Sequence, residues 1–366
     1  MKIVFFSNSS WSIYNFRKNL IKKLIQKGHK IFILSSKDSS SIKLKKIGCE
    51  FVEVKMNNNK INILEDIFLL FNIKKKLQSI KPDYLLNFTI KPLIFGTFIG
   101  NILNIRSICM MTGLGTVFIK KNFLTLIVIF LYKISFSKVY KVIFQNKDDK
   151  KKFINLGIVN KKKILVSPGS GVDLNFFKYK KNIFTKKTKF LFFGRLLNEK
   201  GVHEYIAVAK KFNKLNFNCE FQIIGSLDKN NPSSISQNDL KNFLKFKNNK
   251  FQNFKTDVRS SIQSANCVVL PSYREGTPRG LLEALAIGRP IITTNAIGCK
   301  EVIENDRNGF VVKIKDVNSL FDAIKYFHNL NFKKKNQMSN YSRTFVSKKF
   351  NEDIVINIYE KLLTKY

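Results

Sequence analysis

A chain of 366 residues with 44% hydrophobic residues is long enough for about two globular domains at roughly 150 residues each. Its 65 basic residues against 25 acidic ones give a formal net charge of +40, which invites anionic partners, but no RNP, zinc-finger or helix-turn-helix signature accompanies it, and nucleic acid is not expected as a partner. The five cysteines form no CxxC pair and the three histidines stand far apart, which excludes a zinc-ligand pattern and fits reduced thiols in a cytosolic compartment.

The N-terminus, "MKIVFFSNSSW", runs out of apolar residues too early for a signal-peptide core and reads as a first strand. "SIYNFRKNLIKKLIQKG" follows, with Ile13, Phe16, Leu20, Ile21 and Leu24 at helical spacing and Gly28 closing the run. "KIFILS", "FVEVK", "DYLLNF", "RSICMM", "KVIFQN" and "KILVS" continue as strands between helix-like segments. Such alternation predicts βαβ units and a parallel sheet. The most apolar stretch, "LTLIVIFLY" at 124–132, is too short for a bilayer that needs about 20 residues.

A basic irregular stretch from Asp173 to Lys189 breaks the rhythm, and the alternation then restarts with "FLFFG", "EFQIIG", "CVVLPS", "PIITTN" and "GFVVKI". Residues 317–366 read as helical throughout. The expected division is therefore an N-terminal Rossmann-like domain over 1–175, a C-terminal Rossmann-like domain over 185–345, and a C-terminal helix over 346–366 packing back toward the first domain. In doubly wound sheets ligands bind beyond the carboxyl ends of the strands, so the loops that follow strands are where chemistry is expected.

Two of those loops stand out. In "REGTPRGLLEALAIGRPII" (274–292), Thr277 can cap a helix, Pro278 suits its first position and Gly288 its exit, which predicts a helix over 278–287. The N–H groups near Arg279 and Gly280, with the helix dipole, make an anion site suited to a diphosphate. Glu275 and Glu283 flank that site and suit neutral sugar hydroxyls. In "FGRLLNEKG" (193–201), Gly194 turns the chain after a strand and Arg195 and Lys200 stand five residues apart before a helix, placed to neutralise a departing diphosphate without a metal. His203, one turn later, reads as structural.

Glu275 to Glu283 is the EX7E spacing, and with "GRLLNEKG" it resembles the retaining GT-B glycosyltransferases of the family-4 type. "SNSSWSIYNFR" (7–17), "FTIKPLIFG" (88–96), "MTGLGTVF" (111–118) and "GSGVDLNFF" (169–177) extend the likeness to the subgroup that builds bacterial O-antigen, capsule and N-glycan precursors. The resemblance implies two Rossmann-like domains facing across a cleft and a nucleotide-sugar donor held by the second. Glu275 would then bind the donor sugar, Glu283 the ribose, and Arg195, Lys200 and the amides of Arg279 and Gly280 the diphosphate. Loops 223–228 and 255–258 would flank the base.

The resemblance further implies a lipid-linked saccharide acceptor on the first domain, with Lys91 meeting a lipid diphosphate and Ser9, Ser10, Trp11, Gly113 and Gly115 shaping the site. No cofactor or metal is implied. Many family-4 enzymes carry a histidine where this chain reads "LLNFTIKP", but none occurs here between His29 and His203. The segment 122–136, flanked by Lys120, Lys121, Lys133 and Lys138, can be read as an interfacial helix or as an ordinary buried one; the first reading places the protein in the cytoplasm, peripheral on the inner face of an anionic membrane. Rival readings are a GT-B nucleotide-sugar 2-epimerase, a Rossmann oxidoreductase, for which "TGLGTVF" and "PGSGVDL" lack the third glycine, and a nucleic-acid-binding protein resting on charge alone.

Overall fold

The computed structural model describes residues 1–56, 62–114, 118, 123–228 and 231–363. These form two compact units, one of residues Met1–Ser170 with Ile354–Tyr366 and the other Gly171–Asp353.

The first unit runs β1 (Lys2–Phe6), α1 (Ser10–Gln26), β2 (Lys30–Ser35), α2 (Ser40–Lys46), β3 (Glu50–Glu53), α3 (Ile63–Ile80), β4 (Tyr84–Phe88), a π-helical turn (Pro92–Gly96) leading into α4 (Thr97–Ile102), β5 (Arg106–Met111), α5 (Phe123–Phe136), β6 (Lys141–Phe144), α6 (Lys147–Asn155) and β7 (Ile164–Val166). The strands pair in the order β3-β2-β1-β4-β5-β6-β7, all parallel. Both faces of this sheet are covered, so its central strands read as unbroken apolar runs such as "IVFF", every residue of which is buried.

Register separates the two faces. Val4 lies opposite Leu85, Asn87 opposite Cys109, and Cys109 opposite Val142, which puts Val4, Phe6, Leu85, Cys109, Met111, Val142 and Phe144 on one face. That face packs against Leu69, Ile73 and Leu77 of α3 and against Tyr132 and Phe136 of α5. The opposite face, with Ile3, Phe5 and Ile33, packs against α1 and against Val355, Tyr359 and Leu362 of the C-terminal helix. On α1 the buried stripe is Ile13, Arg17, Leu20, Ile21 and Leu24. Phe16, expected there, is only half-buried and Arg17 takes the inner place, its guanidinium 4.9 Å from the Phe88 ring and donating to the Phe16 carbonyl at 2.7 Å.

The second unit runs β8 (Thr188–Phe193), α7 (Val202–Lys214), β9 (Cys219–Ile224), α8 (Gln237–Leu244), β10 (Asn249–Gln252), α9 (Arg259–Ser264), β11 (Cys267–Leu270), α10 (Arg279–Ile287), β12 (Ile291–Thr294), β13 (Gly309–Val312), α11 (Val317–Asn329), α12 (Phe332–Lys349) and the start of α13 (Glu352–Leu362), whose later turns belong to the first unit. Its sheet order is β10-β9-β8-β11-β12-β13, again parallel. The polar edge strand β10, "NKFQ", escapes the sequence reading because it has no apolar run; pairing with β9 makes it a strand. The helical C-terminal region is broken at Leu330–Asn331 and Phe350–Asn351.

The irregular stretch 173–189 is fastened to the second unit. Arg343 donates to the carbonyls of Phe177 at 2.9 Å and Leu174 at 3.3 Å, and the Lys180 N–H donates to the Ile287 carbonyl at 3.1 Å. Where the chain enters and leaves this unit, Val172 and Glu352 are zipped by N–H donation from Val172 to Phe350 O and from Glu352 to Val172 O.

Candidate functional site

Each sheet has one point where strand order reverses, between β1 and β4 in the first unit and between β8 and β11 in the second. Loops leaving neighbouring strands there run in opposite directions and leave a crevice. The loops of Ser9–Trp11, Lys91, Arg195–Lys200 and Glu275–Gly280 leave these four strands, whereas that of Gly113 leaves β5.

In the second unit, the loop after β8 begins at Gly194, whose φ of +143° suits glycine. Arg195 follows, exposed and without an ion-pair partner among the described residues. Asn198–Lys200 form a 3-10 turn. His203 bonds Asn198 Oδ1 at 2.8 Å, as expected of a structural residue.

The loop after β11 is stitched to this turn. Ser272 Oγ donates to Glu199 O at 3.0 Å and the Tyr273 N–H donates to the same carbonyl at 2.9 Å. The Glu275 N–H donates to Ile297 O at 2.9 Å, tying it to the loop after β12. One Glu275 carboxylate oxygen then receives Lys200 Nζ and, at 2.8 Å, shares with Glu199 O the single hydroxyl hydrogen of Ser272. Both members of this ion pair are mostly buried. Behind it lies Cys299, whose thiol burial pushes up to about 12, with the Glu275 charge adding to the effect, so it stays neutral.

Helix α10 begins at Arg279 with Pro278, in extended conformation, at the cap position. Thr277, expected to cap, lies one residue further out, and Pro278 at the cap position makes no side-chain cap bond. The N–H groups of Leu281 and Leu282 already bond the Pro278 carbonyl, and those of Arg279 and Gly280, ahead of them, have no carbonyl of the helix to bond. A β-carbon at Gly280 would stand 3.0 Å from the Phe193 ring at the end of β8, so backbone passes close over that strand. Arg279 Nε donates to Glu283 Oε1 at 3.0 Å, and its NH1 donates to Gly171 O. Burial pushes the Glu283 carboxyl above the usual carboxylate range, with Arg279 opposing the shift.

In the first unit, Ser9 caps α1, accepting from the Ser12 N–H at 3.3 Å. Ser10 is completely buried, its hydroxyl shared among Ser35, Ser36 and Ser41, so it packs the β1 loop and presents nothing outward. Trp11 is exposed, with its N–H donating to Asp38 at 2.8 Å. Lys91 is paired with Asp66 of α3 at 2.6 Å. Gly113 follows β5 with a φ of +129°, and Gly115 lies outside the described residues.

Thr89 gave no signal in the sequence. Its φ of +70° is rare for a β-branched residue, and it is held there by the Asn8 N–H, which donates to Thr89 Oγ1 at 3.2 Å. The contact joins the β1 and β4 loops across the switch point. Asp66 and Asp38 were missed for a similar reason: each acquires its partner only when distant segments meet.

Two family models match the chain: "Glycosyl transferases group 1" over residues 174–345 and "Glycosyl transferase 4-like" over residues 2–146. Together they take in most of it. The chain is a group 1 glycosyltransferase. The N,N'-diacetylbacillosaminyl-diphospho-undecaprenol alpha-1,3-N-acetylgalactosaminyltransferase of Campylobacter jejuni is 29% identical to it over 88% of either chain. The UDP-Gal:alpha-D-GlcNAc-diphosphoundecaprenol alpha-1,3-galactosyltransferase of Escherichia coli is 26% identical over 72% of this glycosyltransferase and 71% of that relative. In fold it is similar to Anabaena Alr3699/HepE, solved in complex with UDP and glucose, with a TM-score of 0.79 at 17% identity over 99% of each chain. The two parallel sheets are thus those of the GT-B fold. These matches are to transferases and lend the 2-epimerase reading no support.

Proposed function

We propose that this glycosyltransferase moves a hexose or N-acetylhexosamine, with retention of configuration, from a UDP-sugar to an undecaprenyl-diphosphate-linked saccharide in the assembly of a cell-surface polysaccharide or glycan. The observation that carries the reading is the pairing at the β8/β11 switch point, Lys200 with Glu275 and Arg279 with Glu283, beside the exposed Arg195 and the N-terminus of α10. The named activities of the Campylobacter and E. coli relatives and the UDP in the HepE complex support the choice of substrates.

In this reading the donor diphosphate takes over the cations. Arg195, Lys200 and the amides of Arg279 and Gly280 receive the phosphates, and Glu275, released from Lys200, accepts hydrogen bonds from the sugar hydroxyls. Glu283 accepts from the ribose, and Gly194 and Thr277 shape the loops around them. The acceptor hydroxyl attacks the anomeric carbon from the face the nucleotide leaves. The bond from that carbon to the phosphate oxygen breaks, its electron pair stays with UDP, and the acceptor's proton passes to the leaving phosphate. Arg195 and Lys200 stabilise that charge, each worth about 10²-fold or more in rate by analogy with an oxyanion donor. With cations and amides there, the step needs no metal and should persist in excess chelator.

The acceptor diphosphate would meet Lys91, with Ser9, Trp11 and Gly113 around it. Such an acceptor lies in a membrane, which places the enzyme in the cytoplasm, peripheral on the inner face of the cytoplasmic membrane. The deciding assay is transfer of labelled sugar from a panel of UDP- and GDP-sugars into solvent-extractable lipid, with wild-type protein or Glu275→Ala. Lipid labelling from one donor that disappears in the variant supports the reading and names the sugar. Folded protein that labels no lipid from any donor, with acceptor supplied, sinks it.

A further inference from the structure

Helices α3 and α5 cover the same face of the first sheet, with α4 and the π-helical turn packed between them. Each buries one stripe against the sheet and carries a second apolar stripe that no described residue covers. On α3 the inner stripe is Leu69, Ile73, Leu77 and Ile80, while Ile63, Leu64, Ile67, Phe68 and Phe71 face outward, the two phenylalanines 74% and 67% exposed. On α5, Phe123, Leu126, Ile127, Phe130 and Ile134 recur at helical spacing on the outer side, Phe123 77% exposed. A surface helix normally turns polar residues outward, and exposed apolar stripes on two helices of the same sheet face mark an interaction site.

Its position and charge select the partner. Both helices follow strands of a parallel sheet, so their N-terminal halves, which hold most of the apolar residues, lie at the carboxyl ends of the strands, the edge that also carries the loops of Trp11 and Lys91. The link is direct on α3, where Asp66 in the first turn holds Lys91. Beyond the apolar turns the outward residues become basic, with Lys75 on α3 and Lys133 on α5 exposed. Residues 63–136 contain nine Lys or Arg and three Asp or Glu. Among the described residues no helix is long and apolar enough to cross a membrane. An apolar surface that cannot span, backed by cations, matches the interface of an anionic bilayer.

We infer that the outward faces of α3 and α5 together form the surface by which this enzyme docks on an anionic phospholipid bilayer, setting the Lys91 loop at headgroup level. The inference rests on the lipid-linked acceptor of the proposed function. The sequence alone left 122–136 open between an interfacial and an ordinary buried helix; the outward stripe of the second helix comes from the tertiary structure.

The test is co-sedimentation of the full chain with vesicles of phosphatidylethanolamine and phosphatidylglycerol, or of phosphatidylcholine. Wild-type protein should sediment with the anionic vesicles and much less with the neutral ones. Phe68→Ser with Phe71→Ser, or Leu126→Ser with Phe130→Ser, should each lower the bound fraction about tenfold or more, since binding scales with buried apolar area. UDP binding, read by calorimetry, should stay unchanged in both and serves as the folding control. Lys74→Glu with Lys75→Glu, which removes no apolar surface, should weaken binding to anionic vesicles alone. Equal sedimentation of all variants, or none by wild type, overturns the inference. So does self-association of wild type that the serine pairs abolish, which would assign the face to a second copy. Transfer to a detergent-solubilised acceptor separates the two readings: it should survive the serine substitutions, and its absence in wild type would count against the proposed function and not against docking.

Discussion

Gly298 offers a test of whether the Glu275 loop must be held where it stands. Its φ is +83°, and a β-carbon there would sit 2.5 Å from the Gly276 carbonyl oxygen and closer still to that of Glu275. Real β-carbons do not approach below 3.0 Å, so Gly298→Ala must push the backbone carrying Glu275 by about half an ångström or more. Two costs follow. The left-handed conformation costs an alanine about 1 kcal/mol, and misplacement of a reacting group by around an ångström costs up to about 10²-fold in rate. Gly28→Ala is the control, because Gly28 has a similar φ of +78° at the end of α1 but nothing within 4 Å of the added carbon. Thermal unfolding and steady-state transfer from the UDP-sugar would be measured for both variants. We expect a loss of about 1 kcal/mol in Gly28→Ala with kcat unchanged, and in Gly298→Ala a larger loss with kcat down by at least about tenfold. The reasoning fails if Gly298→Ala keeps kcat within about twofold, or if Gly28→Ala loses as much rate.

Arg195 and Lys200 should separate under the same two measurements. Arg195 is exposed and has no ion-pair partner among the described residues, so Arg195→Ala should lower kcat about 10²-fold with no change in unfolding midpoint. Lys200→Ala should lower kcat similarly and also destabilise the fold by roughly 1–3 kcal/mol, because Glu275 is left mostly buried with Ser272 alone on that oxygen. His328 governs a pH effect away from the site. Burial, with Lys335 nearby adding to it, holds its ring below the ordinary value of 6.5, and the ring bonds Thr188 Oγ1 at 2.8 Å. The folded protein therefore binds this proton less readily than the unfolded chain, so stability is full above pH 6.5 and falls as pH drops through the window below it. Unfolding midpoints followed from pH 7.5 to 5 should decline less in His328→Asn, and parallel curves would remove His328 as the cause.

Much of this protein is legible in one dimension because parallel strands buried on both faces must be written as apolar runs, and helices that cover them as periodic ones. "IVFF", "CVVL" and the α10 segment 279–287 needed no partner to be identified. The EX7E acids and the Arg195/Lys200 loop were legible too, since a strand end followed by a helix start is a local pattern. What the sequence could not supply are relations between segments. Strand β10 is made by its neighbour β9, Arg17 reaches the inner face of α1 because Phe88 and the Phe16 carbonyl receive its guanidinium, and Ser10 is withdrawn from the surface by hydroxyls of the β2 loop and α2. The pairings Lys200–Glu275 and Lys91–Asp66, 75 and 25 residues apart, likewise arise only on folding. Sequence fixes what each segment can bury or bond by itself; which charge meets which, and which apolar face is left facing outward, is decided when the sheet brings distant strand ends side by side.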